Sequence, residues 1–162
     1  MGLQFRKAAA DDLEMLVTSR IEMLKAANPT LPDADFVKAA ESCRIYYLKS
    51  LEEDIHIAYL AFDGDVFAGC GGVSFYQVLP NCKNPSGMNA YIMNIYTVPG
   101  FRGQGIATKI VDLLVKEALL RGIHEISLKA TDMGRPVYER YGFQKDEAAM
   151  KRLADSGFRF KD

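Results

Sequence analysis

The stretch Tyr91–Ile110, YIMNIYTVPGFRGQGIATKI, decides the fold of this chain. Its first half is rich in β-branched and aromatic residues and predicts a strand over Tyr91–Val98. Pro99-Gly100 then marks a turn, and the glycine-rich segment Arg102–Ala107 leads directly into a predicted helix. Glycines at such a turn let successive backbone N–H groups point into one concavity, and at a helix start these groups lack internal partners. Together with the charge of Arg102, this pattern predicts a site for phosphate oxygens.

Three interpretations of the glycine turn compete. A Rossmann dinucleotide turn needs Gly-x-Gly-x-x-Gly, but Gly103-x-Gly105 is followed by Thr108 where the third glycine should stand. The unit also lies late in the sequence, with little chain left for a doubly wound sheet. A P-loop needs Gly-Lys-Ser/Thr, which this sequence lacks. The third interpretation is a glycine-rich turn that only starts a helix, which an isolated Gly-x-Gly would favour.

Outward from this stretch, hydrophobic periodicity and turn signals predict a mixed pattern of two helices, a hairpin, and then strand, helix, strand and helix. The predicted strands are Leu3–Lys7, Ile55–Phe62, Val66–Val78, Tyr91–Val98 and Ile123–Ala130. The predicted helices run from a capping box of Asp11 and Glu14 to about Ala27, and over Ala34–Leu51, Ile106–Arg121 and Pro136–Tyr141. Leu79–Asn89 is predicted to be a loop, and one or two further strands are expected after Phe143.

Length, charge and composition narrow the class of protein. At 162 residues, the chain predicts one domain over 1–162. Lys and Arg total 20 and Asp and Glu total 21, and the resulting net charge of −1 argues against a mainly electrostatic nucleic-acid binder. No apolar run suits a signal peptide or a membrane span, so no membrane partner is expected. Three scattered cysteines and two distant histidines argue against a metal site and fit a reducing, cytoplasmic compartment.

Two motifs together resemble a known family. Arg102-x-x-Gly105-x-Ala107, after a strand ending in Ile95–Pro99, resembles the acetyl-CoA pyrophosphate motif of the GNAT superfamily of N-acetyltransferases, Arg/Gln-x-x-Gly-x-Gly/Ala. Downstream, VYERYGF at Val137–Phe143 resembles the superfamily's second hallmark, a short helix with a tyrosine followed by Gly-Phe. A predicted helix and strand separate the two motifs, as the family requires. The resemblance is specific over Tyr91–Phe143 and only architectural before it.

The resemblance implies an α/β fold in which the sheet is mixed, as in α+β proteins. We expect a mixed GNAT-type sheet of about six to seven strands with helices on both faces. The strands Tyr91–Val98 and Ile123–Ala130 are expected to splay apart at one end, and the gap would admit acetyl-CoA as co-substrate, with no metal.

The resemblance also implies which residues hold acetyl-CoA. Backbone groups of Ile95, Tyr96 and Thr97 are expected to pair with the pantetheine arm as a pseudo-strand. An N–H near Thr97 is expected to polarise the thioester carbonyl. Arg102 and the amides that follow it are expected to bind the pyrophosphate; these amides belong to Gly103, Gln104, Gly105, Ile106, Ala107 and Thr108.

The implied reaction is direct attack of a primary amine on the acetyl group, with Tyr138 as general acid that protonates the departing thiolate. Tyr141 is the better candidate for a purely packing role. No general base is evident, because the strand offers Met93 and Asn94 where many family members carry a carboxylate. Glu22, reached through water, is one candidate. The alternative is a sensor or interaction module that binds acyl-CoA without turnover.

The acceptor side is the least specified part of the sequence. Thr131 stands where the family commonly has an asparagine that contacts pantetheine, which puts that contact in doubt. The acceptor groove is expected between Asn28–Asp33 and Pro80–Asn89, with Tyr76 and Tyr91 either shaping it or covering the core. The acceptor is expected to be a small-molecule or protein amine, and a homodimer is compatible with the family.

Overall fold

The computed structural model describes residues 2–151, which contain five strands and four α-helices. The strands are β1 (Leu3–Lys7), β2 (His56–Asp63), β3 (Val66–Gln77), β4 (Met88–Thr97) and β5 (Ile126–Leu128). The helices are α1 (Leu13–Ala27), α2 (Asp33–Glu52), α3 (Ile106–Leu120) and α4 (Arg135–Tyr141). The sheet order is β1-β2-β3-β4-β5, antiparallel throughout except for the parallel pair β4–β5. The expected mixed sheet is therefore confirmed.

The strand count and several element ends differ from expectation. Five strands lie in residues 2–151, against the six or seven expected. Residues 143–151 form no strand, and the rest of the tail lies outside the described residues. β5 pairs over only three residues rather than eight, because the neighbouring strand diverges from it. β4 begins at Met88, so the predicted loop ends two residues earlier than expected.

Helices α1 and α2 cover one face of the sheet. Their apolar side chains pack on this face around Leu60 and Cys70, both fully buried. Hydrophobic periodicity in the sequence predicts that one apolar stripe of α2 is formed by Phe36, Val37, Ala40, Cys43, Tyr47 and Leu51. Of these, Phe36 and Tyr47 are buried. Val37 is 68% exposed and was wrongly placed in that stripe. It follows Phe36 by one residue, about 100° around the helix, so the two side chains cannot both face the sheet.

Helix α3 packs on the opposite face. Ile106, Ile110 and Leu114 are fully buried and form a core with the apolar residues of β2, β3 and β4. Gly71 permits this close approach, because a Cβ there would lie 2.6 Å from Ile110 Cγ2 and 2.5 Å from Ile95 Cδ1. Gly69, Gly71 and Gly72 within one strand predict a bulge or a close backbone approach, and Gly71 provides the close approach. The two layers of helices fix the position of the α3 start relative to β4.

The predicted capping box at Asp11 and Glu14 is not formed. A 3-10 turn over Ala10–Asp12 precedes α1, and Asp12 rather than Asp11 supplies the carboxylate that holds it. Its Oδ2 accepts a hydrogen bond from the Ala9 N–H at 2.8 Å, and both its oxygens accept from the Arg6 guanidinium. Glu14 instead binds Arg44 of α2. The extra turn moves the N-cap from Asp11 to Asp12 and the first helical residue by one position, so the spacing of the box no longer fits.

Candidate active site

A gap opens in the sheet between β4 and β5. The two strands pair from Ala90↔Ile126 to Ile92↔Leu128 and no further. Immediately beyond, Asn94 adopts a left-handed conformation with φ 57°, and the β3–β4 register shifts at this point. Such a bulge bends a strand and increases its twist. The expected splay is present, and it leaves the backbone of Ile95, Tyr96 and Thr97 without a neighbouring strand on the β5 side among residues 2–151.

The glycine-rich loop delivers free N–H groups to the end of this gap. Gly103 and Gly105 have φ of 79° and 78°, and a Cβ on either would meet open space. The N–H groups of residues 103–108 have no backbone acceptor in the described chain, whereas the Lys109 N–H already donates to the Gly105 carbonyl at 3.0 Å. Six successive free donors at a helix start form an anion-binding concavity. The ten residues expected to hold acetyl-CoA thus lie on the unpaired end of β4 and on the glycine-rich loop that follows it.

Arg102 lies on the surface between the strand end and the loop. Its Nε donates to the Thr97 carbonyl at 3.4 Å, and its side chain is exposed. This contact holds the guanidinium beside the end of β4. An exposed guanidinium beside free N–H groups adds a charged donor for a phosphate.

Tyr138 lies on α4 with its ring partly buried. The ring packs edge-on against Phe143 at a centroid distance of 6.2 Å. Burial raises the pKa of the Tyr138 phenol above its usual value, so the hydroxyl stays protonated at neutral pH. Tyr141, by contrast, donates its hydroxyl to Asp112 of α3 at 3.2 Å and ties α4 to that helix.

Thr131 has a structural partner. Its Oγ1 accepts from the Gly134 N–H at 3.2 Å, and its carbonyl accepts from the Arg135 N–H at 2.9 Å. These bonds satisfy free donors at the start of α4, the usual task of a threonine before a helix. Thr131 therefore positions the helix that carries Tyr138.

The strand residues at the expected base position carry no carboxylate, but a carboxylate lies nearby. Asn94 is 7% exposed, its Oδ1 has no partner within the described chain, and its Nδ2 lies 3.7 Å from Cys70 Sγ. Glu22 of α1 accepts a hydrogen bond from the Tyr96 hydroxyl at 3.1 Å. The Tyr96 side chain was not among the predicted site groups, because only its backbone was expected to contact a ligand. An asparagine inside a strand was the available signal for the bulge, since asparagine is disfavoured in strands and tolerates positive φ.

The two segments expected to line the acceptor groove lie mostly in loops and not in helices or strands. Asn28–Pro32 connects α1 to α2, and residues 78–87 connect β3 to β4. Tyr76 is 42% exposed, and Tyr91 is partly buried on the α1 and α2 face of the sheet. Within residues 2–151, no group of three His, Cys, Asp or Glu side chains is placed to hold a metal ion, and no helix is long and apolar enough to cross a membrane.

Residues 21–143 match the model of the acetyltransferase (GNAT) family. This match includes the glycine loop, the gap and α4. It extends upstream into α1, beyond the stretch on which the sequence motifs depend.

Solved structures share the whole architecture. A predicted acetyltransferase from Clostridium acetobutylicum, solved with acetyl-CoA, is 32% identical, with a TM-score of 0.85 over 94% of this chain and 96% of that one. A GCN5-related N-acetyltransferase from Ralstonia eutropha is 25% identical, with a TM-score of 0.83 over 95% of this chain and all of that one. The cofactor expected from the sequence, acetyl-CoA, is thus the ligand of a relative with the same fold.

Curated relatives match over a shorter stretch. Thialysine N-epsilon-acetyltransferase of Mus musculus is 32% identical over 76 residues, which is 47% of this chain and 45% of that protein. The match therefore covers less than half the length of this relative.

Proposed function

The chain belongs to the GNAT acetyltransferase family, and from that premise we propose that it transfers an acetyl group from acetyl-CoA to a primary amine. The observation that carries the proposal is the continuity of the unpaired β4 segment with the free N–H groups of the glycine loop. An extended arm fits the first, and a pyrophosphate fits the second. We propose that the whole chain, 1–162, forms one catalytic domain.

We assign the cofactor contacts as expected from the sequence. Ile95, Tyr96 and Thr97 bind pantetheine through their backbone, and an N–H near Thr97 stabilises the developing oxyanion. Arg102 and the amides of residues 103–108 bind the pyrophosphate. Isothermal titration with acetyl-CoA tests this half of the proposal, and no detectable heat at millimolar ligand would contradict it.

We propose that Tyr138 is the general acid. The amine nitrogen forms a bond to the acetyl carbon, the C–S bond breaks, and the Tyr138 hydroxyl gives its proton to the thiolate. The proton that the nitrogen then loses to become an amide passes through solvent and restores the Tyr138 hydroxyl. The raised pKa of Tyr138 keeps this proton in place at neutral pH. Within residues 2–151, no side chain accepts a hydrogen bond from the Tyr138 hydroxyl. The hydroxyl is therefore available to the sulfur of CoA.

Glu22 is the candidate for accepting the proton that the ammonium must lose before it attacks. Its carboxylate and the Tyr96 hydroxyl form a hydrogen-bonded pair at the unpaired segment of β4. A proton can pass from the ammonium to the phenol oxygen while the phenol proton moves to the carboxylate. Asn94 cannot perform this step, because an amide has no basic site at neutral pH.

One observation favours a second candidate function. The β4 strand carries Asn94 and Met93 where a carboxylate would serve as base, which fits a sensor that binds acyl-CoA without turnover. Incubation with acetyl-CoA and a panel of primary amines discriminates the two functions. Acetylated product supports the enzyme, whereas tight binding with no product across the panel supports the sensor.

A further inference from the structure

The outer side of helix α2 exposes apolar side chains to solvent. Val37, Ile45 and Leu48 are 68%, 64% and 56% exposed, while the opposite side of the helix buries Phe36 and Tyr47 against the sheet. The three exposed side chains lie within about 80° of one another around the helix axis. Single exposed apolar residues are ordinary, but several on one face of one helix mark a surface where another molecule docks.

Four exposed charged residues flank Ile45 in a regular order. Lys38 and Glu41 precede it by seven and four residues, and Lys49 and Glu52 follow it by four and seven. At about 100° per residue, all four lie within about 40° of Ile45 around the helix axis. The order along this face is therefore positive, negative, Ile45, positive, negative. We call these five residues the α2 row.

The charges of the α2 row have no partner within the described chain. None of the four forms an ion pair in residues 2–151. The other charged groups next to this face are paired within the chain, as Arg44–Glu14, Asp33–Lys25 and Asp54–Arg121. Asp35 and Glu53 lie about 80° around the helix from Ile45 and so stand beside the row and not in it. The row is therefore balanced in charge and open to a partner.

The α2 row is complementary to a second copy of itself when the two helices run antiparallel. A two-fold axis beside Ile45 brings each residue opposite the one that lies equally far on the other side of Ile45. Glu41 then faces the partner's Lys49, and Lys38 faces the partner's Glu52. Parallel helices would instead place like charges opposite each other. Opposite charges across an interface fix its register and orientation.

The spacing of the α2 row also suits the packing of one helix on another. Glu41, Ile45 and Lys49 are four residues apart, so their side chains form one ridge along the helix. Ridges of this kind from two helices interdigitate at a crossing angle of about −50°, the commonest class of helix packing. The two Ile45 side chains then meet at the centre, and each end of one ridge meets the opposite charge of the other.

We propose that the α2 row is the interface of a symmetric, antiparallel dimer of this chain. The inference depends on α2 alone and goes beyond the proposed acetyl transfer, whose failure would leave it unaffected. Helix α2 has 20 residues and is about 30 Å long. One helix from each protomer buries less than the roughly 800 Å² per partner of a standard interface, so we expect a weak dimer with Kd of roughly 10 to 100 µM.

Sedimentation velocity of the whole chain tests the dimer. Between about 1 µM and about 300 µM protein in low salt, we expect the sedimentation coefficient to rise from that of a monomer toward that of a dimer. High salt should weaken the association, because it screens exposed charges. Protein that remains monomeric at the highest concentration in low salt overturns the proposal.

Charge reversal tests the register of the helices. Glu41→Lys and Lys49→Glu each place like charges opposite each other, so Kd should rise at least about tenfold in either variant. The double variant Glu41→Lys/Lys49→Glu has the net charge of the wild type and restores opposite pairs, so it should dimerise again. Glu125→Lys is the matched control, because Glu125 is exposed, precedes β5 at the far edge of the sheet and forms no ion pair in residues 2–151. Single variants that dimerise like the wild type, or a double variant that stays monomeric, contradict the proposed pairing.

An apolar substitution tests the centre of the interface. Ile45→Glu places two carboxylates at the two-fold axis and should abolish the dimer. Leu120→Glu is its control, since Leu120 is 83% exposed and lies at the end of α3. Both side chains are exposed, so thermal unfolding of dilute protein should match the wild type in both variants. Dimerisation of Ile45→Glu with the wild-type Kd would show that the copies meet through another surface.

Discussion

In the proposed reaction, Tyr138 is the residue that distinguishes an enzyme from a binding protein. Tyr138→Phe removes the hydroxyl and keeps the ring, so the contact with Phe143 should survive and acetyl-CoA affinity should change little. The single-turnover rate should fall roughly 10²- to 10⁴-fold, the usual contribution of a positioned proton donor. Tyr141→Phe is the control, since its hydroxyl binds Asp112. A Tyr138→Phe rate within threefold of wild type from pH 6 to 9 would leave solvent as the proton source.

The proposed role of Glu22 as proton acceptor can be tested with acceptors whose amines differ in pKa. Glu22→Gln should lower kcat/KM at pH 7 roughly 10²-fold for an alkylamine, which is almost fully protonated there, because proton removal precedes attack. The deficit should shrink as pH approaches the pKa of the amine. An acceptor whose amine is already neutral at pH 7 should be acetylated equally by both proteins. A loss that is constant with pH would assign Glu22 a binding role instead.

At the scale of the element, the start of α3 should be sensitive to a side chain. Gly105→Val fills the concavity of free N–H groups, so the stabilisation by acetyl-CoA should disappear, since that stabilisation scales with RT ln(1 + [L]/Kd). Gly122→Val is a matched control: its φ of 71° imposes similar backbone strain, its Cβ also meets open space, and it lies at the other end of α3. Thermal unfolding with and without ligand measures both. An unchanged ligand-induced shift in Gly105→Val would make Gly105 only a turn residue.

Elements whose ends are set by local chemistry were predicted from the sequence, and those set by tertiary contacts were not. Strand β1 and the helix that Gly142 closes agree closely with their predicted bounds. Strand β5 does not, because the point where it leaves β4 depends on a bulge. Likewise, Glu14 does not take its predicted capping role, because its carboxylate binds Arg44, which lies 30 residues away in sequence.

At the scale of the whole molecule, His56 should link stability to pH. Burial lowers the pKa of His56 to about 4, against about 6.5 in the unfolded chain, so the unfolded state binds the extra proton between these values. The contribution of His56 to the free energy of unfolding is therefore present above about pH 6.5 and is lost as the pH falls toward 4. Between pH 7 and 5 the free energy of unfolding should fall by about 2 kcal/mol.

Urea titrations at the two pH values measure this loss. His56→Gln should flatten the difference, although it lowers stability at pH 7 through the lost contacts with Tyr46 and Ser74. His124→Gln is the control, because His124 is exposed. A pH difference that persists unchanged in His56→Gln would assign the effect to other groups.

The features proposed to bind acetyl-CoA were predictable where local backbone forms them, and not where distant segments meet. The glycine loop and α4 are each encoded within a few residues, so their positions could be given in advance. The pairing of Tyr96 with Glu22 spans 74 residues and depends on how α1 lies across the sheet. Patterns of spacing contain no information about such approaches, which arise from packing.

The divergence of β4 from β5 also has a consequence for the behaviour of the purified protein. A strand whose N–H and C=O groups have no neighbour is a template for another chain, and proteins usually guard against such self-association. Here acetyl-CoA itself would prevent this association, because its pantetheine arm would occupy the same hydrogen-bonding groups of Ile95–Thr97. Concentrated protein should therefore scatter more light when stripped of acetyl-CoA than when saturated with it. In this protein, a metabolite would also keep the folded chain soluble.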